Sequence, residues 1–223
     1  MAAALAFSLL PATVSAQTVS GTIDLLEMHL GKGNDHLIID SAFRLGDDVQ
    51  GVALRLEGGS DLGPYLDEVT AQLLYTRNLL PNTAVSAGVR QDFREGSDLR
   101  YGVFAIETAI GQIAGAEHFL FVSEDGDVTG AAMVVVGLPL GATTIEPRLA
   151  VGWSAQAVLD EEIGAGVSDV ELSLRLRRAV GPLFNVYVGA IHEQLLGDTR
   201  DIARANGDSG EVTRAVIGAG LQF

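Results

Sequence analysis

The sequence predicts an all-β fold, a transmembrane antiparallel up-and-down β-barrel of about twelve strands. Three observations carry this expectation. Aliphatic and polar residues alternate with period two through most of the chain, which puts them on opposite faces of strands. The alternating segments are even in number, and their connections are short on one side and long on the other, as in bacterial outer-membrane barrels. After residue 16 no run reaches the ~18 apolar residues of a spanning helix; the longest, "GAAMVVVGLPLGA" at 130–142, carries Pro139. A chain that enters a bilayer without such a helix must close into a barrel.

In chain order, residues 1–16 read as a removed secretory signal. An apolar stretch ends in the small residues Val14, Ser15 and Ala16, a peptidase-type cleavage site, and leaves 17–223 as the barrel. Strands are expected near 18–30, 36–46, 49–58, 65–78, 82–94, 99–110, 113–124, 127–138, 143–157, 167–180, 183–196 and 212–223. In the first, "TIDLLEMHLG", the phase slips at Leu25 and Leu26. Either a bulge restores the register there, or Glu27 and His29 stand above the bilayer. Further on, Val69, Ala71, Leu73 and Tyr75 oppose Glu68, Thr70, Gln72 and Thr76, and Val85, Ala87, Val89 and Phe93 oppose Ser86, Gly88, Arg90 and Asp92. Ile145, Leu149, Val151 and Trp153 then oppose Thr144, Glu146, Arg148 and Ser154. The pattern is cleanest in "DVELSLRLRRAV", where Val170, Leu172, Leu174 and Leu176 alternate with Asp169, Glu171, Ser173, Arg175 and Arg177. The last segment, "TRAVIGAGLQF", sets Ala215, Ile217, Ala219, Leu221 and Phe223 against Arg214, Gly218, Gly220 and Gln222. "LGDD", "LLPN", "IGQ" and "AVGP" read as tight periplasmic turns, and "LDEEIGAGVS" and "GDTRDIARANGDSGE" as long outer loops.

Composition narrows the partners. With 29 acidic against 14 basic residues and a formal charge of −15, the chain is a poor match for nucleic acid. It has no cysteine, so no disulfide framework holds it, and 48% hydrophobic residues exclude disorder. A soluble barrel or sandwich would alternate in the same way but turn its apolar face inward. Twelve strands enclose a lumen wider than aliphatic side chains fill, so apolar-out and polar-in fits the residue types, with outer-membrane lipid outside.

The inward set then comprises Asp40, Arg44, Arg55, Glu57, Glu68, Arg90, Asp92, Glu146, Arg148, Asp169, Glu171, Arg175, Arg177 and Arg214. This is a lumen of mixed sign whose charges can pair across neighbouring strands, plugging and stiffening it, or form a cation path. For a metal, the local cluster is "EMHLGKGNDH", where Glu27, Met28, His29, Asp35 and His36 flank a turn; Cu(II) favours imidazole and oxygen, Cu(I) thioether and thiolate. No G-x-S-x-G or H-E-x-x-H motif suggests catalysis, and Asp160, Glu161 and Glu162 read as a solvated run in an exposed loop.

Several segments together resemble the outer-membrane copper resistance protein B family. They are "EVTAQLLYTRNLLP", "AGVRQDFR", "FVSEDGD", "EPRLAVG", "EIGAGVSDVELSLRLRRAVGP", "YVGAI", "GDTRDIARANGDSGE" and "GAGLQF". The spacing G-x-G-x-S-D-x-E-x-x-L-R-x-R at 164–177, followed by A-R-A-x-G-D, is the most specific of them. The resemblance implies a barrel in the bacterial outer membrane that serves copper tolerance, binding copper ions or helping them leave the periplasm, with a periplasmic copper protein as an expected partner. It implies lumenal family positions at Arg90, Asp92, Asp169, Glu171, Arg175 and Arg177. Two departures stand out. Members of that family commonly carry a Met- and His-rich segment ahead of the barrel, whereas the first strand is expected here almost directly after residue 17, and Ile191 and His192 replace an expected acid followed by Trp.

Overall fold

The computed structural model describes residues 18–31, 35–60, 68–94 and 98–223; the expected signal segment lies outside these. Strands run Thr18–Gly31 (β1), His36–Gly46 (β2), Gln50–Ser60 (β3), Glu68–Leu80 (β4), Thr83–Arg94 (β5), Leu99–Ile110 (β6), Ala114–Ser123 (β7), Val128–Val136 (β8), Leu138–Leu140 (β9), Thr143–Ser154 (β10), Gly166–Ala179 (β11), Phe184–Leu195 (β12) and Glu211–Gln222 (β13). A helix, Gly197–Asn206 (α1), joins β12 to β13. β8 and β9 both pair with β10 and are one stave broken at Gly137, so the strands form the expected twelve staves. β1 pairs with β13 and β10 with β11, which closes the ring and leaves no edge. The tight connections gather at the end that holds Thr18 and Phe223, the long ones at the other.

Alternation sorts the two faces. Leu73, Val89, Phe104, Leu172, Leu174, Val188 and Ile217 are exposed on the outside, where the bilayer covers them. The inner face is less polar than expected. Leu74, Val103, Ala105, Phe119 and Phe121 form a buried apolar wall on β4, β6 and β7. Aromatic rings reach far enough inward to pack where aliphatic side chains alone would leave a gap, and the guanidiniums of Arg55 and Arg90 lie over them, 4.7 Å from the Phe119 and Phe121 ring centroids.

The phase slip in β1 is a bulge. Ile23 pairs with Ser41, but the next paired residue, Leu25, faces Asp40, so β1 carries one extra residue there. The same irregularity marks its pairing with β13, where Ile23 faces Leu221 and Leu26 faces Ala219. The extra residue re-phases the strand and returns Glu27 and His29 to the lumen, where both are buried.

The segment read as a long loop at 197–211 contains α1. Its buried residues, Thr199 and Ala203, stand four apart on one face, and Gly207 ends it in the left-handed conformation at φ 93°. That spacing was the available signal; between two strongly alternating strands it is too short to stand out.

The chain closes on itself at Phe223. Its backbone exchanges hydrogen bonds with Gly21, each 2.9 Å, and its ring lies on Gly21, where any side chain would collide with it, 6.4 Å from the Phe43 ring. Phe223→Ala keeps both backbone bonds and removes the ring pair; it is expected to lower the unfolding free energy in detergent micelles by about 1 kcal/mol. Urea melts of the fast-migrating unboiled band measure this, and an unchanged midpoint would locate the seam's strength in the backbone alone. At the β2–β3 turn, the Asp47 carboxylate accepts the N–H groups of Gln50 and Val49, both at 2.8 Å, and these bonds hold its pKa below the usual carboxylate value. A depressed folded-state pKa stabilises above the unfolded value and is lost as pH falls through the folded one. The stability gap between the wild type and Asp47→Ala should therefore narrow on acidification, which melts at several pH values will show.

Candidate functional site in the barrel lumen

Two groups of ion pairs divide the lumen. The first joins β1 to β10, β11 and β12. Arg175, 2% exposed, binds Glu27, 1% exposed, through Nε and Nη2, both at 2.8 Å, and donates from Nη1 to Ser173 Oγ. Arg148 binds Asp24 at 2.7 Å and Glu146 at 2.6 Å. Arg177 reaches the same two carboxylates at 3.3 and 3.2 Å and lies 4.4 Å over the Tyr187 ring, which rests on Gly218. Because β12 and β13 stand between β11 and β1, these contacts bridge the lumen rather than run along its wall.

The second group occupies the half lined by β2 to β7. Arg55 sits between Glu117 at 3.3 Å, Glu107 at 3.7 Å and Glu57 at 3.7 Å. Arg90 grips Asp92 with Nε at 2.6 Å and Nη2 at 2.8 Å, and Thr70 donates to the same carboxylate. Carboxylates face one another directly in three cross-strand pairs: Asp40 with Glu57, Glu107 with Glu117, and Glu171 with Glu193. Opposed like charges are costly unless something positive is shared between them. Arg55 serves the second pair, and Arg214 reaches Glu193 at 3.5 Å in the third. Arg55 also reaches Glu57 of the first pair, and Asp40 in the first pair and Glu171 in the third have no ion pair of their own among the described residues.

Space follows this file of acids. At the tight-turn end a cavity of about 370 Å³ is lined by Glu107, Glu117 and Met133. Nearer the long loops, His36, Glu57, Glu68, Thr70 and Arg90 line another of about 400 Å³.

By register, Glu68, Arg90, Asp92, Glu146, Arg148, Asp169, Glu171, Arg175, Arg177 and Arg214 share the strand face that carries these ion pairs. The candidate metal residues are split. Glu27 and His29 are together, with His29 Nε2 donating to Glu27 Oε1 at 2.7 Å, and His36 is the cross-strand partner of His29. Met28 is turned outward, because period two sends it to the face opposite its neighbours. Arg175 already occupies Glu27, and Arg214 donates to His36 Nε2 at 3.2 Å, so an ion at this hairpin must displace a guanidinium. Among the described residues no three His, Asp or Glu side chains are grouped closely enough to hold a metal ion. His118 and His192 face outward; His118 accepts from Trp153 Nε1 and His192 pairs with Thr213. Asp24, Glu107, Glu117, Glu193 and Met133 join the lumen unforeseen, since the first sits at the bulge and the others lie in segments whose alternation is masked by inward apolar residues.

Glu27→Ala leaves a buried guanidinium unpaired and is expected to cost about 3 to 5 kcal/mol. Glu27→Ala with Arg175→Met should recover most of that loss in the same urea melt. Failure to recover would show that Glu27 acts through His29 instead.

Compared with known proteins, the family model described as copper resistance protein B precursor matches residues 17–223. A copper resistance protein B homolog of Pseudomonas syringae pv. tomato is 27% identical over 201 residues, 90% of this chain and 68% of that protein. Copper resistance protein B of Escherichia coli is 30% identical over 183 residues, 80% of this chain and 60% of that protein. Among solved structures, the NanC porin superposes with a TM-score of 0.57 at 10% identity and the KdgM porin with 0.53 at 11%, each covering 92% of this chain and 99% of the other. At these identities the likeness is one of fold.

Proposed function

The chain belongs to the copper resistance protein B family, and we propose that its outer-membrane barrel serves copper homeostasis by binding copper ions and passing them out of the periplasm, without catalytic turnover. The observation that carries this reading is the excess of carboxylates over guanidiniums in the lumen, with Asp40, opposite Glu57, and Glu171, opposite Glu193, each lacking an ion pair of its own among the described residues. A negative, partly dehydrated lining concentrates cations and repels anions. Copper arriving from the tight-turn end, handed over by a periplasmic copper protein, meets Glu107, Glu117 and the Met133 thioether first. Carboxylate and imidazole oxygens and nitrogens suit Cu(II), and a thioether suits Cu(I). At the far end the ion reaches Glu27, His29 and His36, where the guanidiniums of Arg175 and Arg214 must give way.

A second reading, a structural barrel or narrow nonselective pore without a metal role, is favoured by the Arg148–Asp24 and Arg175–Glu27 bridges across the lumen. Gene deletion separates the two. The copper reading expects greater copper sensitivity in cells that normally express the protein, and unchanged sensitivity would leave the structural barrel. In planar bilayers, Asp40→Asn with Glu57→Gln is expected to lower the cation-to-anion permeability ratio by on the order of threefold to tenfold. An unaltered ratio would remove this pair from the ion's path.

A further inference from the structure

The connection between β10 and β11, residues 155–165, is only in part an exposed charged loop: Asp160 and Glu162 are exposed, whereas Glu161 is half-buried. It folds over the long-loop mouth. Its two arms are tied to each other, Val158 N–H to Ile163 O at 2.8 Å and Ile163 N–H to Val158 O at 3.1 Å, forming a narrow strap with the short turn Leu159–Glu161 at its tip. One root is fastened to the barrel rim by Gln156 donating to Asp127 Oδ1 at 3.0 Å. The other is fastened to α1, with Gly164 N–H donating to Thr199 Oγ1 at 2.9 Å and Asn206 donating to Glu162 at 2.7 Å. At the tip Glu162 takes the left-handed conformation, φ 58°, uncommon for a side chain of this size.

The tip is held from across the mouth. Glu161 accepts from both terminal nitrogens of Arg94, at 2.6 and 2.5 Å, in a bidentate pair. Arg94 ends β5, and β6, β7 and the β8 stave lie between it and β10, so the pair spans about a third of the rim. Beneath the strap lies a cavity of about 450 Å³, with Arg90, Tyr101, Phe121, Ser123 and Thr129 on its floor and walls and Val158 and Ile163 in its roof. The roots are fixed by several bonds and Glu162 is tied to Asn206 of α1, whereas the Leu159–Glu161 turn is held across the mouth by an ion pair between partly exposed groups, 28% and 19% accessible.

We propose that residues 155–165 are a strap that closes part of the outer mouth, and that the Arg94–Glu161 ion pair is its latch. Unlatching frees the tip while the roots stay in place, so the vestibule opens without loss of the barrel. The proposal concerns control of the passage described above, but it does not require copper to be the ion that passes, and its test uses none.

The chain has no cysteine, so one introduced thiol reports on the cavity without background. Ser123→Cys is placed beneath the strap, with Thr129→Cys as a second reporter because Ser123 Oγ accepts from Asp127 N–H. Each is refolded in detergent, its heat-dependent gel migration confirmed, and the rate of reaction with a charged, water-soluble maleimide measured. Glu161→Gln and Arg94→Gln are expected to raise the rate roughly threefold to fivefold, the factor that follows from removing an ion pair of this exposure. Raised salt should accelerate the latched protein more than the variants. The exchange Arg94→Glu with Glu161→Arg should return the rate toward the original. Equal rates with and without the latch at both reporters would overturn the proposal. So would an exchanged pair that labels as fast as the single variants, since the gain would then be general loosening of the loop.

Discussion

Within the hydrocarbon layer no water is present to satisfy an amide or a carbonyl, so every backbone polar group that crosses it must find a partner in the chain. That requirement makes the β1–β13 seam the contact on which the whole structure depends. Twelve staves pair in order around the ring, but the ring exists only because β13 finds β1. The extra residue near Asp24 is what lets the two strands meet with their faces in phase: on one side of it the exterior pattern is set by Gly21 and Phe43 under the Phe223 ring, and on the other Glu27 and His29 turn inward. The bulge also brings Asp24 within reach of Arg148 and Arg177, tying the seam to β10 and β11.

Closure creates a second demand. A ring whose outside must be apolar turns its charges into a confined space, where each must be matched or hydrated. The two halves of this lumen meet that demand differently. Around Tyr187, arginines from β10 and β11 and acids from β1 and β10 compensate one another across the barrel axis. Around Phe119 and Phe121, arginines lie flat on aromatic faces, and the carboxylates outnumber them. The first group braces the barrel, and the second lies beside free volume.

Little of the lumen's asymmetry could be read from alternation. Period two says which face a residue occupies, and it did so for Arg90, Asp92, Arg148, Arg175 and Arg177. It says nothing of how far a side chain reaches, so Phe119, Phe121 and Val103, inward and buried, looked like interruptions of the pattern. Met28 was grouped with Glu27 and His29 by proximity in the sequence, which on a strand places it on the opposite face. Glu161 read as a solvated charge because its partner, Arg94, is 67 residues away.

The sequence by itself determined the fold class, the positions of the staves, the inner face of most of them and the family, because a bilayer outside and water inside impose a two-residue period that local composition must obey. Only the tertiary structure decided which charges meet, where the β1 bulge falls, that α1 and the strap shape the outer mouth, and which carboxylates are left undercompensated. These depend on distances across the lumen between residues far apart in the chain, and a pattern with a period of two carries no information about what stands on the other side of a closed ring.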